Sequence, residues 1–149
     1  MAETSLRERA LRHLARREHS RAELVRKLAP HGSAEEIDDV LDRITELGLL
    51  SDHRFAEAWV RGKATRFGTA RLRRELALRG VERDTIDAAL EAEGVEDDVD
   101  RARAIWRGKF GTTPADAREW ARQARFLQGR GFGTDVIRKI LKENPDESA

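Results

Sequence analysis

Leu76-Ala77-Leu78-Arg79-Gly80-Val81, with Ile86 and Leu90 downstream, returns 51 residues later as Leu127-Gln128-Gly129-Arg130-Gly131-Phe132, with Ile137 and Leu141. A looser copy stands upstream at Leu24, Leu28, Gly32, Ile37 and Leu41. In each copy an Arg-rich segment leads into the pattern, and an acidic segment or a short acidic tail closes it. Self-similarity at this period signals stacked supersecondary units, which build long one-sided surfaces rather than a closed active-site cavity.

The apolar spacing inside the copies is helical. Ile37, Val40, Leu41, Ile44 and Leu47 mark one stripe, Phe55, Ala58 and Trp59 another, and Val136, Ile137, Ile140 and Leu141 a third. No stretch alternates with period two, so the fold class is all-α. Ser5 with Glu8, Ser20 with Glu23, and Ser33 with Glu36 have capping-box spacing. Thr113-Pro114-Ala115-Asp116 offers a cap, a first-turn Pro and a first-turn acid, while Gly48, Gly80, Gly94 and Gly131 stand where helices should stop. Nine helices are predicted, near 5–18, 20–30, 34–47, 52–66, 69–79, 83–93, 97–110, 114–130 and 134–143. They group into three triplets, giving repeats over 1–50, 51–96 and 97–149, the last ending in a tail that leaves the helix at Pro145 and frays. Trp59 and Trp106 hold comparable places in the second and third triplets, where core anchoring is the expected role.

Aromatic residues are scarce at 5% against 38% charged, so the core must rest on Leu, Ile, Val and Ala. The absence of Cys excludes disulfides, thiolate metal sites and a Cys nucleophile. No apolar run approaches the roughly 20 residues of a membrane span, and Met1-Ala2-Glu3-Thr4-Ser5-Leu6 has no signal character. A cytoplasmic protein is the expectation.

A net charge of +1 conceals a partition along the chain. Residues 5–31 carry +5, 33–52 carry −6, 54–81 carry +6, 82–100 carry −8, 101–142 carry +8 and 143–149 carry −3. One explanation is solvated faces that neutralise each other between neighbouring helices. The other is a set of basic faces that meets a polyanion. Arg61, Lys63, Arg66, Arg71, Arg73, Arg74 and Arg79 surround Phe67-Gly68-Thr69, where one helix ends and another begins. The N-terminal N–H groups near Thr69 would add positive potential to that cluster. Arg118, Arg122 and Arg125 recur at helical spacing and predict a second basic ridge.

Catalytic and metal signals are weak. His13, His19, His31 and His53 lack zinc-helix spacing, and the acidic clusters Glu35-Glu36, Asp38-Asp39 and Glu96-Asp97-Asp98 lack calcium-loop spacing. Gly129-Arg130-Gly131-Phe132-Gly133-Thr134 follows a helix rather than a strand, so it reads as a helix–helix turn with Phe132 plugging the core. No catalytic residue, metal or cofactor is predicted.

Glu46-Leu47-Gly48-Leu49-Leu50-Ser51-Asp52-His53-Arg54-Phe55-Ala56, continuing to Trp59-Val60, resembles the hallmark of the RecX family. So does Gly68-Thr69-Ala70-Arg71-Leu72-Arg73-Arg74-Glu75-Leu76-Ala77-Leu78-Arg79-Gly80-Val81. Residues 10–24 are similar to the family's first repeat, and Arg125-Phe126-Leu127 with Arg130-Gly131-Phe132 to its last. The resemblance implies three tandem three-helix repeats in an elongated, curved arrangement. It further implies a non-enzymatic regulator of the RecA recombinase that binds the filament RecA forms on single-stranded DNA; a monomer is expected. Such a regulator limits filament extension, ATP hydrolysis and strand exchange, and so touches DNA repair, homologous recombination and the SOS response. The alternatives are a stand-alone DNA-binding helical module and a generic helical-repeat scaffold. The expected contacts are Arg61, Lys63, Arg66, Arg71 and Arg74, then Arg118, Arg122 and Arg125. The first repeat is a residue shorter between Leu28 and Ile37 than the second between Leu76 and Ile86, so it is expected to contribute least.

Overall fold

Nine α-helices and no strand form among the described residues, 4–95 and 97–142, of the computed structural model. They are α1 (Leu6–Arg16), α2 (Arg21–Leu28), α3 (Ala34–Glu46), α4 (Asp52–Lys63), α5 (Thr69–Leu78), α6 (Arg83–Ala92), α7 (Asp98–Lys109), α8 (Ala117–Gly129) and α9 (Thr134–Leu141). Among the described residues no helix is long and apolar enough to cross a membrane. The expectations for Met1-Ala2-Glu3 and for the tail beyond Pro145 lie outside the described residues.

The recurring residues do the same physical work in both good copies. Leu76 and Leu127 are fully buried, and Ile86, Ile137, Leu90 and Leu141 are buried as well. The glycines end their helices with positive φ, +81° at Gly80 and +97° at Gly131. Around Gly80 the Val81 N–H donates to the Leu76 carbonyl at 3.1 Å and the Gly80 N–H to Ala77 at 3.0 Å. Around Gly131 the matching bonds run from Phe132 to Leu127 at 3.2 Å and from Gly131 to Gln128 at 2.9 Å. This is the Schellman closure, which satisfies orphan carbonyls and folds the next apolar residue back onto the helix. Val81 and Phe132 accordingly sit in the core, at 4% and 2% exposure. In the first copy Gly32 is extended instead, because Pro30 turns the chain through a 3₁₀ segment at Ala29–His31.

Two compact units emerge, one from the described part of Met1–Trp59 with Leu76–Ala89, the other from Val60–Glu75 with the described part of Leu90–Ala149. In the first, Ala10, Leu24, Leu28, Ile37, Leu41, Ile44 and Leu50 form a core that Leu6, Leu11 and Leu14 cover. In the second, Ala102, Trp106, Leu127, Phe132, Ile137, Ile140 and Leu141 form the core. Trp106 is the anchor its position suggested, its indole N–H donating to buried Gln123 at 2.7 Å. Trp59 is half-buried, with the Arg79 guanidinium 3.8 Å from the ring centre.

Capping follows the sequence with two corrections, a half-made box at Ser5 and a later start for α8. Ser5 accepts from the Glu8 N–H, and both Ser20 and Ser33 make full reciprocal boxes. The Thr113-Pro114 start is not used: α8 begins at Ala117, capped by Asp116, which accepts from the Glu119 N–H at 2.8 Å. The later acid wins because the buried Gln123 of α8 donates to the Thr112 carbonyl, holding that segment as a loop. Ser20 does more than cap, since its hydroxyl also donates to the Arg79 carbonyl at 2.7 Å in a fully buried setting. Ser20→Ala is therefore expected to cost about 2 kcal/mol and Ser33→Ala, at an exposed box, about 1 kcal/mol or less. Urea denaturation of the two variants measures the difference, and equal losses would contradict a structural role for the Arg79 bond.

Candidate functional site

All eight basic candidates belong to the second unit, and its α4–α5 turn brings two of them, Arg66 and Arg71, together. α4 ends with carbonyls that need donors. Arg101 of α7 supplies them, Nε donating to Ala64 O and Nη2 to Phe67 O, each at 2.9 Å. The same guanidinium pairs with Asp98 at 2.9 Å. Asp98 in turn accepts from the Thr69 hydroxyl at 2.6 Å and from the Thr69 N–H at 3.2 Å. The start of α5 is thus capped by a carboxylate from another helix. Of the helix-start N–H groups expected to add positive potential beside the arginines, the Thr69 N–H is already taken by Asp98.

The turn is fixed from its other side as well. The Gly68 N–H donates to Arg130 O at 2.7 Å. A Cβ at Gly68 would meet the Gly131 carbonyl carbon at 2.6 Å and Phe132 Cδ1 at 2.7 Å, so only glycine fits where the α4–α5 and α8–α9 turns touch. That contact gathers guanidinium groups on one ring. Arg71 lies 3.9 Å from the Phe67 centroid, Arg66 5.5 Å and Arg130 5.9 Å. Arg71 is also held by the Gly129 carbonyl at 3.0 Å, with Glu75 3.7 Å away. An aromatic face that orients guanidinium planes leaves their N–H forks pre-arranged for phosphate or carboxylate oxygens.

The eight candidates therefore divide. Arg66 and Arg71 come together at Phe67. Arg61 is engaged by Glu93 through two bonds, at 2.7 and 3.4 Å, and Arg122 by Glu119 at 2.7 and 2.9 Å. Lys63 is half-buried at the end of α4. Arg74, Arg118 and Arg125 are exposed and make no ion pair among the described residues. Sequence spacing missed Arg130 as a member of the cluster and Arg101 as its support. The signals for Arg130 were its place beside the Gly131 stop and in the motif that resembles the family's last repeat.

The Arg122 pair has a measurable signature. Hydrogen bonds from Arg122 first, and then from Gln123, hold the Glu119 carboxyl down to about 2, from an ordinary 4.5. A depressed carboxylate adds stability above its unfolded value, and loses it as pH falls through its folded one. The Glu119 contribution is thus present above pH 4.5 and fades toward pH 2. NMR titration of Arg122→Gln should show Glu119 moving back up toward 4.5; an unchanged midpoint would mean that Arg122 does not hold it.

Family profiles for the first, second and third three-helix domains of RecX match residues 7–43, 51–90 and 96–141. The chain belongs to the RecX family. A regulatory protein RecX of Leptothrix cholodnii is 52% identical over 93% of this chain and 88% of its own length. One from Chromobacterium violaceum is 48% identical over 96% and 93%. A crystal structure of a regulatory protein RecX superposes with a TM-score of 0.79 at 22% identity, covering 93% of this chain and 72% of that one. RecX from Lactobacillus salivarius gives 0.73 at 19% identity over 91% and 92%. Those two likenesses establish the shared fold of this RecX chain.

Proposed function

We propose that this RecX-family chain regulates RecA by binding its filament on single-stranded DNA, limiting filament extension, ATP hydrolysis and strand exchange. The observation that carries this reading is the ordered match of all three RecX three-helix domains to residues 7–141. The second unit supports it with exposed Arg74, Arg118 and Arg125 and the ring-ordered Arg66 and Arg71, groups suited to phosphate or acidic surface. Repeats over 1–50, 51–96 and 97–149, linked along a periodic partner, gain avidity from weak individual contacts. The role is one of binding without catalysis, carried out in the cytoplasm by a monomer.

The test is the single-stranded-DNA-dependent ATPase of the cognate RecA, measured while this protein is titrated. Inhibition at well below one protein per recombinase monomer is expected. Inhibition only when the DNA itself is saturated would favour a stand-alone DNA-binding module. No effect on hydrolysis, strand exchange or filament length would overturn the reading.

A further inference from the structure

A second basic site lies on α1, in the first unit. Arg9, Arg12, His13 and Arg16 fall at i, i+3, i+4 and i+7, which places them along one helix face. Together they line a solvent-open cleft of about 170 Å³. A single water needs only about 10–15 Å³ of such space, so the cleft has room for a polyatomic group.

Like charges at this spacing work against a helix unless something compensates them. The neighbouring Arg17 shows what compensation looks like, gripping Glu23 with both nitrogens at 3.1 Å. Arg9, Arg12 and Arg16 make no ion pair among the described residues. The helix dipole accounts for cations in the last turn, at His13 and Arg16, but not for Arg9 in the first half of α1. The Arg9 Nε is shielded from solvent and has no hydrogen-bond partner among the described residues.

The surroundings add positive charge. His19 is buried, with Nδ1 3.0 Å from the Arg17 carbonyl and Nε2 2.7 Å from Lys27 Nζ. A carbonyl only accepts and an ammonium only donates, so His19 is neutral with its proton on Nδ1, and it fixes Lys27 in place. The His13 ring lies 5.5 Å from that of His19. We infer that the α1 cleft is a binding site for a phosphate-type oxyanion, held by Arg9, Arg12 and Arg16 with His13 as a proton-dependent fourth donor. Guanidinium forks match the oxygens of a phosphate. This assigns binding chemistry to the repeat that spacing alone ranked last, and it stands independently of any recombinase.

His13 reports occupancy. Burial first, and then Lys27, Arg16 and Arg17, hold its pKa below 6.5 in the free chain. A bound anion favours the imidazolium, so it raises that pKa, and affinity grows as pH falls. The experiment is an NMR titration of the imidazole resonances in the full chain, with inorganic phosphate, with a short oligothymidylate, or with chloride at matched ionic strength. Phosphate or oligothymidylate should raise the His13 pKa where chloride does not. The exposed Arg12, changed in Arg12→Gln, should weaken the response about tenfold, as loss of one charge-assisted bond implies. Tighter binding of oligothymidylate than of phosphate assigns the site to a nucleic-acid backbone, and the reverse assigns it to a small phosphate ligand. A His13 titration identical in all three solutions, or one that Arg12→Gln leaves unchanged, overturns the proposal.

Discussion

Gly131→Ala is expected to destabilise the chain by about 2–5 kcal/mol, combining a left-handed backbone penalty with overpacking. Gly131 has φ +97°, and a Cβ there would run into the Cβ of Arg71 and lie 2.7 Å from the Arg71 backbone nitrogen. Backbone cannot swing aside as a side-chain tip can, so the α8–α9 turn and the start of α5 must separate. The Gly68 N–H bond to Arg130 and the Arg71 bond to Gly129 then go with them. Gly94 supplies the control, since it has φ +65° but nothing within 4 Å of a built Cβ. Gly94→Ala should cost only about 1–2 kcal/mol, the backbone penalty alone. Urea denaturation of both variants decides the matter, and equal losses would show that the close approach does not matter in solution.

Asp98→Ala is expected to cost about 2–4 kcal/mol, the loss from breaking a largely buried pair by removing one member. The side chains of Asp98 and Arg101 are 16% and 18% exposed. Without the carboxylate, Arg101 keeps its carbonyl partners but loses its counter-charge, and the Thr69 hydroxyl and N–H lose their acceptor. Asp98→Asn keeps an acceptor and should recover part of the loss. Asp97→Ala removes only a cap on the Val99 N–H and should cost about 1 kcal/mol. Denaturation midpoints that rank Asp97→Ala at or above Asp98→Ala would contradict the clamp.

Much of this fold was legible because its determinants are local. The closures at Gly80 and Gly131 depend on residues within six positions, and the boxes at Ser20 and Ser33 on residues within three. The start of α8 was misplaced because Thr113-Pro114 and Asp116 compete as local signals, and the choice is made by Gln123 on the far side of the loop. The basic surface was harder to read for the same reason. Arg61 looked open because Glu93 is 32 positions away, and the cap on Thr69 was hidden because Asp98 is 29 positions away. Arg122 is the exception, its partner Glu119 lying one helical turn back, where the spacing could have shown the pair. Arg130 joins Phe67 only through the contact between two turns, which no local pattern encodes.

Under the proposed function, exposed arginines of the second unit engage the RecA filament. Arg74, Arg118 and Arg125 are the groups to change, because their exposure and lack of ion pairs among the described residues leave the fold little reason to depend on them. The measurement is co-sedimentation of the protein with RecA–single-stranded-DNA filaments across a salt series, for the wild type and for the combined variant Arg74→Gln, Arg118→Gln, Arg125→Gln. Contacts to phosphate predict wild-type binding that weakens steeply with salt. The variant should bind at least about tenfold more weakly at low salt and show a shallower salt slope. A variant that keeps its fold, its affinity and the wild-type salt slope would contradict the account.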